Sequence, residues 1–260
     1  MRQDAIAHPS GVIPQGLVDK VVARRGGRLH MYSTLDGPRT AFVVVDLDED
    51  SCARAERDDD LYGPVNAVGH AVRAAGGTVA FVTTSVPSAD ALAGSLGDEL
   101  AASYFQASAT GTAARLAARL HVEPRDLRAV KARASAFFPG NCDLPDRLRE
   151  RGVTDVLIGG QATNICCESS ARGACELGYR VTMVSDALIG NSWGLHEASQ
   201  STFFRIFGDV RPSGEVIDLL SVETWASTAS DPGRRAGSSP TIATTAPIRL
   251  RAPGGIRPTI

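Results

Sequence analysis

Three side chains of different chemistry stand where each could act on the same small molecule. Asp46 closes the apolar run TAFVVVD (40–46), Lys131 lies in LRAVKAR (127–133), and Cys166 follows the glycine pair of GGQATNICCES (159–169). A carboxylate can shuttle a proton, an ammonium can stabilise an anion, and a thiolate is a strong nucleophile. Near the first turn of a helix, unpaired N–H groups and the positive end of the helix dipole favour a thiolate, and a neighbouring ammonium adds to this. On these grounds Cys166 is expected to rest as an anion. The same N–H groups can hold the oxyanion of a tetrahedral intermediate. Cys167 is adjacent and points about 100° away around a helix, so spacing alone leaves both thiols open. Cys175, more than two turns on, reads as core. Each residue also has a plainer role: buried cysteines are usually inert, a strand-terminal Asp is often a turn residue, and a Lys in a strand often keeps an edge soluble.

The elements that would bring these residues together follow from hydrophobic period. Nearly continuous apolar runs at 40–46, 78–84, 127–133, 153–160 and 180–186 read as buried strands, and between or after them lie helical patterns at 63–77, around 112–121, and at 143–152, 164–179 and 195–208. Asp143 stands as the N-cap of the third of these helices. Alternation of this kind predicts an α/β fold, a three-layer α/β/α sandwich around a mostly parallel sheet of about six strands. In such a sheet ligands sit beyond the carboxyl ends of the strands, where Asp46, Lys131 and the 159–169 turn all fall. Residues 1–35 read as an N-terminal arm with one short helix, 36–225 as the catalytic domain, and the Ser/Thr/Pro/Gly-rich stretch 226–260 as a tail, mobile or reaching another subunit.

Composition narrows the function. A net charge of −2 with no basic stripe argues against nucleic acid as a partner. The apolar runs are too short for a membrane span, and MRQDAIAHPS has no apolar signal core, so a cytoplasmic protein is expected. Five cysteines without a CxxC pair read as reduced thiols, and the five scattered histidines form no zinc motif, so no metal and no cofactor are expected. GNSWG (190–194) matches a G-x-S-x-G nucleophile elbow. The triad there needs a later histidine and the only one, His196, is four residues on, so Ser192 reads as a helix cap. LDEDSCARAERDDD (47–60) reads as a solvated acidic loop; Asp48 and Glu49 would call for a cationic substrate were they to line the site.

TAFVVVDLDED (40–50), KARASAFFPGNCDLPDRLRERGVTDVLIGG (131–160) and GGQATNICCESSARGACELGYRVTMVSDA (159–187) together resemble the isochorismatase-like cysteine hydrolase superfamily, over roughly Thr40 to Leu220. The resemblance implies Asp46 as acid/base, Lys131 as the cation that stabilises the thiolate and Cys166 as nucleophile. It implies a cis peptide between Gln161 and Ala162, with the N–H groups of Ala162 and Cys166 as the oxyanion hole. The K-x-R-x-S-x-F-F and T-N-x-C forms look closest to the ureidoacrylate and N-carbamoyl amidohydrolase branch, and the metal-binding histidines of nicotinamidases are absent. The implied reaction is cleavage of an amide, ureido or carbamoyl C–N bond of a small molecule through a thioester. Vinyl-ether hydrolysis and a diverged, non-catalytic role are the alternatives. Members of the superfamily commonly form homodimers or homotetramers, so a homo-oligomer is expected.

Overall fold

The computed structural model describes residues 11–49, 61–85 and 115–228. Six strands form one parallel sheet: β1 (Thr40–Val45), β2 (Thr78–Thr84), β3 (Leu127–Lys131), β4 (Asp155–Gln161), β5 (Arg180–Ile189) and β6 (Asp209–Arg211), in the order β3-β2-β1-β4-β5-β6. All six residues of β1 are buried, which a strand can achieve only with both sheet faces covered. Alternate residues serve opposite faces. Ala41, Val43 and Val45 join one apolar cluster with Val82, Ile158 and Met183, while Phe42 and Val44 join another with Phe81 and Leu157.

Helices complete the three layers. On the first face lie residues of α1 (Gln15–Arg24), α3 (Leu144–Glu150), α4 (Glu168–Glu176) and α5 (Trp193–Ile206); on the second lie α2 (Tyr62–Ala74) and α6 (Ser213–Thr228). Helix α1 falls in the stretch read as an arm, yet Val18 and Val21, one turn apart, are fully buried in the first cluster. No helix among the described residues is long and apolar enough to cross a membrane.

Several local expectations are corrected. The 112–121 helix lies outside the described residues up to 114. Its described part instead pairs with the 47–49 segment, through a bridge between Leu116 and Asp48 and a hydrogen bond from Ala117 N–H to Leu47 C=O at 3.0 Å. Helical propensity there is overridden by tertiary pairing that buries Ala117 and Leu120. Asp143 is itself in helical conformation and makes no side-chain cap; its carboxylate stands 3.5 Å from Arg147. β3 ends at Lys131 rather than continuing to 133. The tail from 229 on lies outside the described residues.

Candidate active site

The strand order reverses between β1 and β4, the switch point at which an open parallel sheet leaves a crevice beyond its carboxyl ends. Asp46 immediately follows β1 and has φ of 50°, a left-handed conformation that Asp tolerates better than most side chains. Its N–H still donates to Val82 C=O at 2.8 Å, and its C=O accepts from Gln161 Nε2 at 2.9 Å. Close passage of β4 requires glycine at 160, where a Cβ would come within 2.0 Å of Val45 O and where φ is 114°. These contacts fix the carboxylate over the end of neighbouring β2, within reach of the end of β3 beyond it.

β3 supplies the cation by its period of two. Leu127, Ala129 and Lys131 are buried while Arg128 and Val130 are exposed. Lys131 is therefore no edge solubiliser: with 0% exposure it is among the most buried large side chains. Its Nζ donates to Asp46 Oδ2 at 2.8 Å and to Thr84 Oγ1, and lies 3.5 Å from Cys166 Sγ. Burial alone would pull the Lys131 pKa down; the Asp46 carboxylate, with the hydrogen-bonding contact to the Cys166 sulfur adding to it, outweighs that and holds the pKa above its ordinary value.

Thr84, the last residue of β2, is a site residue that sequence reasoning missed. It accepts from Lys131 and donates its hydroxyl to Asp46 Oδ1 at 2.9 Å, so it ties the two charged groups together. The available signal was its place at a strand's carboxyl end between the strands of Asp46 and Lys131. Thr84→Val leaves a buried donor and a buried acceptor short of one partner, and is expected to cost about 1–3 kcal/mol of stability, measured by urea unfolding. An unchanged midpoint would show that the hydroxyl bridge carries no weight.

After β4 the peptide bond from Gln161 to Ala162 is cis. Residues Thr163–Cys167 then form a π-helical turn before α4, rather than the start of an uninterrupted α-helix. Ala162 C=O accepts from both Ile165 N–H (3.0 Å) and Cys167 N–H (3.3 Å). Cys166 N–H is among the first N–H groups of the turn, where helices lack internal acceptors. The turn separates the neighbouring thiols: Cys167 is fully buried in the first apolar cluster with its sulfur 3.9 Å from Gly159 O, whereas Cys166 is half-buried and faces Lys131 and Asp46. Burial pushes the Cys167 thiol well up. Cys175 is half-buried against the same cluster and points at Phe207 O.

The expected resting thiolate is corrected. Burial, with the Asp46 carboxylate adding to it and the Lys131 ammonium opposing it, pushes the Cys166 thiol up to about 12. The ammonium is nearer to Asp46 than to the sulfur, and an attraction spent on one anion cannot also hold a second. The resting site is therefore a thiol beside a carboxylate–ammonium pair, with Asp46 also in hydrogen-bonding reach of the sulfur. Below a thiol's pKa the thiolate fraction rises tenfold per pH unit. Alkylation of Cys166 by iodoacetamide, followed by peptide mass spectrometry, is accordingly expected to speed up about tenfold per unit between about pH 7 and 9. A rate already level at neutral pH would contradict a resting thiol.

The solvated reading of the acidic loop fails at its start. Asp48 is buried, 5% exposed, where the 115–117 segment bridges it, while Glu49 meets Arg115 at 3.6 Å on the surface. Residues 50–60 lie outside the described residues. Ser192 caps α5, accepting from Leu195 N–H at 3.4 Å.

A family model for the isochorismatase domain matches residues 40–215, which span all six strands. The chain belongs to the isochorismatase family. Among members it resembles, the uncharacterized isochorismatase family protein YwoC of Bacillus subtilis is 35% identical over 99 residues, 38% of this chain and 51% of that protein. Ureidoacrylate amidohydrolase RutB of Variovorax paradoxus is 40% identical over 72 residues, 28% of each chain. The chain thus spans about half the length of the first and under a third of the second. Two solved structures share the fold. The cysteine hydrolase of Pseudomonas syringae pv. phaseolicola has a TM-score of 0.67 at 24% identity, covering 74% of this chain and 97% of that one. The N-carbamoylsarcosine amidase of Thermoplasma acidophilum has a TM-score of 0.55 at 22% identity, covering 67% and 96%. In this chain the isochorismatase fold brings Asp46, Lys131 and Cys166 together at the switch point and leaves Cys167 in the core.

Proposed function

We propose that this isochorismatase-family chain is a cysteine hydrolase that cleaves the C–N bond of a small amide, ureido or carbamoyl compound. The single observation that carries the reading is the convergence of a sulfur, a carboxylate and an ammonium on one buried point, with Lys131 Nζ 2.8 Å from Asp46 and 3.5 Å from Cys166. The likeness to ureidoacrylate amidohydrolase RutB supports the choice of bond.

In this reading the substrate carbonyl carbon enters above Cys166. The thiol proton passes to Asp46 as sulfur attacks, so the low resting population of thiolate is no obstacle: the proton moves only when the new bond forms. The negative charge on the carbonyl oxygen is taken by the N–H groups of Ala162 and Cys166. The intermediate collapses, the C–N bond breaks, and Asp46 returns the proton to the leaving nitrogen. An S-acyl enzyme remains: a thioester from an amide, a thiocarbamate from a ureido or carbamoyl group. Water, deprotonated by Asp46, attacks this carbonyl, and the sulfur leaves with that proton. Lys131 stays charged throughout and stabilises whichever of the two neighbours is the anion. Transfer of the thiol proton to Asp46 with formation of the S–C bond leaves the trio with one positive charge, on Lys131, which balances the negative charge on the oxyanion.

A screen of ureido compounds, N-carbamoyl amino acids and simple primary amides, scored by ammonia release, tests the proposal. At least one class is expected to be hydrolysed by the native chain and by none of the Cys166→Ala, Asp46→Asn or Lys131→Met variants. Ammonia release that persists in Cys166→Ala would overturn it. Turnover of a vinyl ether by that variant would favour acid catalysis by Asp46 without a covalent intermediate.

A further inference from the structure

The histidine beside GNSWG has no part in the reaction above, yet it is built into the back of the site. His196, one turn into α5, is 6% exposed. Its ring is bonded on both edges, Nδ1 lying 2.8 Å from Thr163 Oγ1 and Nε2 2.6 Å from the Gln200 side-chain nitrogen. From the next turn of the same helix, Ser199 donates its hydroxyl to Thr163 C=O at 3.3 Å. Thr163 and Gln200 are fully buried. The chain entering α5 is pressed against the histidine, since a Cβ on Gly190 would stand 2.9 Å from that of His196. Thr163 is thus held by α5 at both its side chain and its carbonyl, and it directly follows Ala162 at the head of the turn that carries Cys166.

We propose that His196 is a positioning residue for the oxyanion-binding turn: by anchoring Thr163 Oγ1 it fixes the directions of the Ala162 and Cys166 N–H groups. The proposal rests on the reading of Cys166 as nucleophile. Its physical basis is that donors stabilise a developing oxyanion only when held at about 2.7–3.1 Å from where that oxygen will be, and misplacement of the supporting frame weakens them steeply. A buried ring satisfied at both edges is a rigid strut, because rotating it leaves buried polar groups unpaired.

Two reactions of the same sulfur separate positioning from general damage. Iodoacetamide alkylates it by displacement of iodide and forms no oxyanion. Acylation by p-nitrophenyl acetate passes through one: the S–C bond forms, the C–O bond breaks, p-nitrophenolate leaves, and the thiol proton goes to Asp46. His196→Phe is expected to slow the p-nitrophenolate burst about 10- to 100-fold with the alkylation rate unchanged. His196→Asn, whose amide can still meet Thr163 Oγ1, is expected to recover most of the burst. Should His196→Phe not fold, Thr163→Val removes the same hydrogen bond from its other end and should show the same selective loss. Equal loss in both reactions, no loss in either, or no recovery by Asn would overturn the proposal. A burst that survives Cys166→Ala would instead overturn the nucleophile assignment, and the positioning role with it.

Discussion

Replacing Cys166 by Ala is expected to remove amide turnover by at least about 10³-fold in kcat, while Cys167→Ala leaves kcat within a small factor of the native value. The contrast is sharp because the two sulfurs are neighbours in sequence and differ in nothing but their surroundings. Cys166 is half-buried within 3.5 Å of the Lys131 ammonium; Cys167 is fully buried among apolar side chains. A truncation at 167 removes a small buried group and is felt as stability. On the proposed mechanism a truncation at 166 removes the atom that forms the bond to carbon, and no other thiol is hydrogen-bonded to Lys131 among the described residues. Steady-state kinetics on the substrate class found by the ammonia screen measure both variants directly. Loss on Cys167→Ala with retention on Cys166→Ala would mean that the turn is read backwards.

The second large effect is on folding. Lys131→Met strands the Asp46 carboxylate, and Asp46→Asn strands a fully buried ammonium. Breaking a buried pair by removing one partner typically costs about 3–5 kcal/mol, whereas replacing both partners often costs little. Each single variant is therefore expected to lose about that much in urea unfolding, and the double variant much less than the sum of the two. Additive losses would show that the two charges do not interact. The pH dependence follows in sign. The native state holds the Lys131 proton more tightly than the unfolded chain, where the ordinary value is 10.5. The contribution of the pair is then complete below that pH and is lost as pH rises through the native value. If one single variant fails to fold, the double variant and the native chain still give the comparison.

Much of this was legible in the residues. β1, β4 and β5 are runs that only a doubly covered parallel sheet can bury, and a charged residue at the end of such a run falls at the ligand-binding edge. The cysteine turn is legible in the same way, because GGQATNICC follows a strand and opens a helix. Other features depend on partners distant in sequence. The short β6, Asp209–Arg211, exists because β5 pairs with it, and three residues carry no period of their own. The Ala/Leu/Arg pattern near 112–121 has the helical period, but its described part is drawn out by Leu47 and Asp48. Thr84 looks like an ordinary strand threonine until β1 and β3 flank it. The charge state of Cys166 is not legible locally, for a related reason. A local view counts the helix mouth and a nearby ammonium. It omits the burial of the sulfur and the carboxylate that is already using that ammonium.

The central claim is that carbon becomes bonded to the sulfur of Cys166 during turnover. Acid-quenching the enzyme during turnover of an amide identified in the screen, then mapping peptides by mass spectrometry, tests it most directly. An acyl adduct is expected on the peptide carrying Cys166, located on that sulfur, that decays as substrate is exhausted and is absent from Cys166→Ala. An adduct located on Cys167, or continued turnover by Cys166→Ala with no adduct on either thiol, would contradict it.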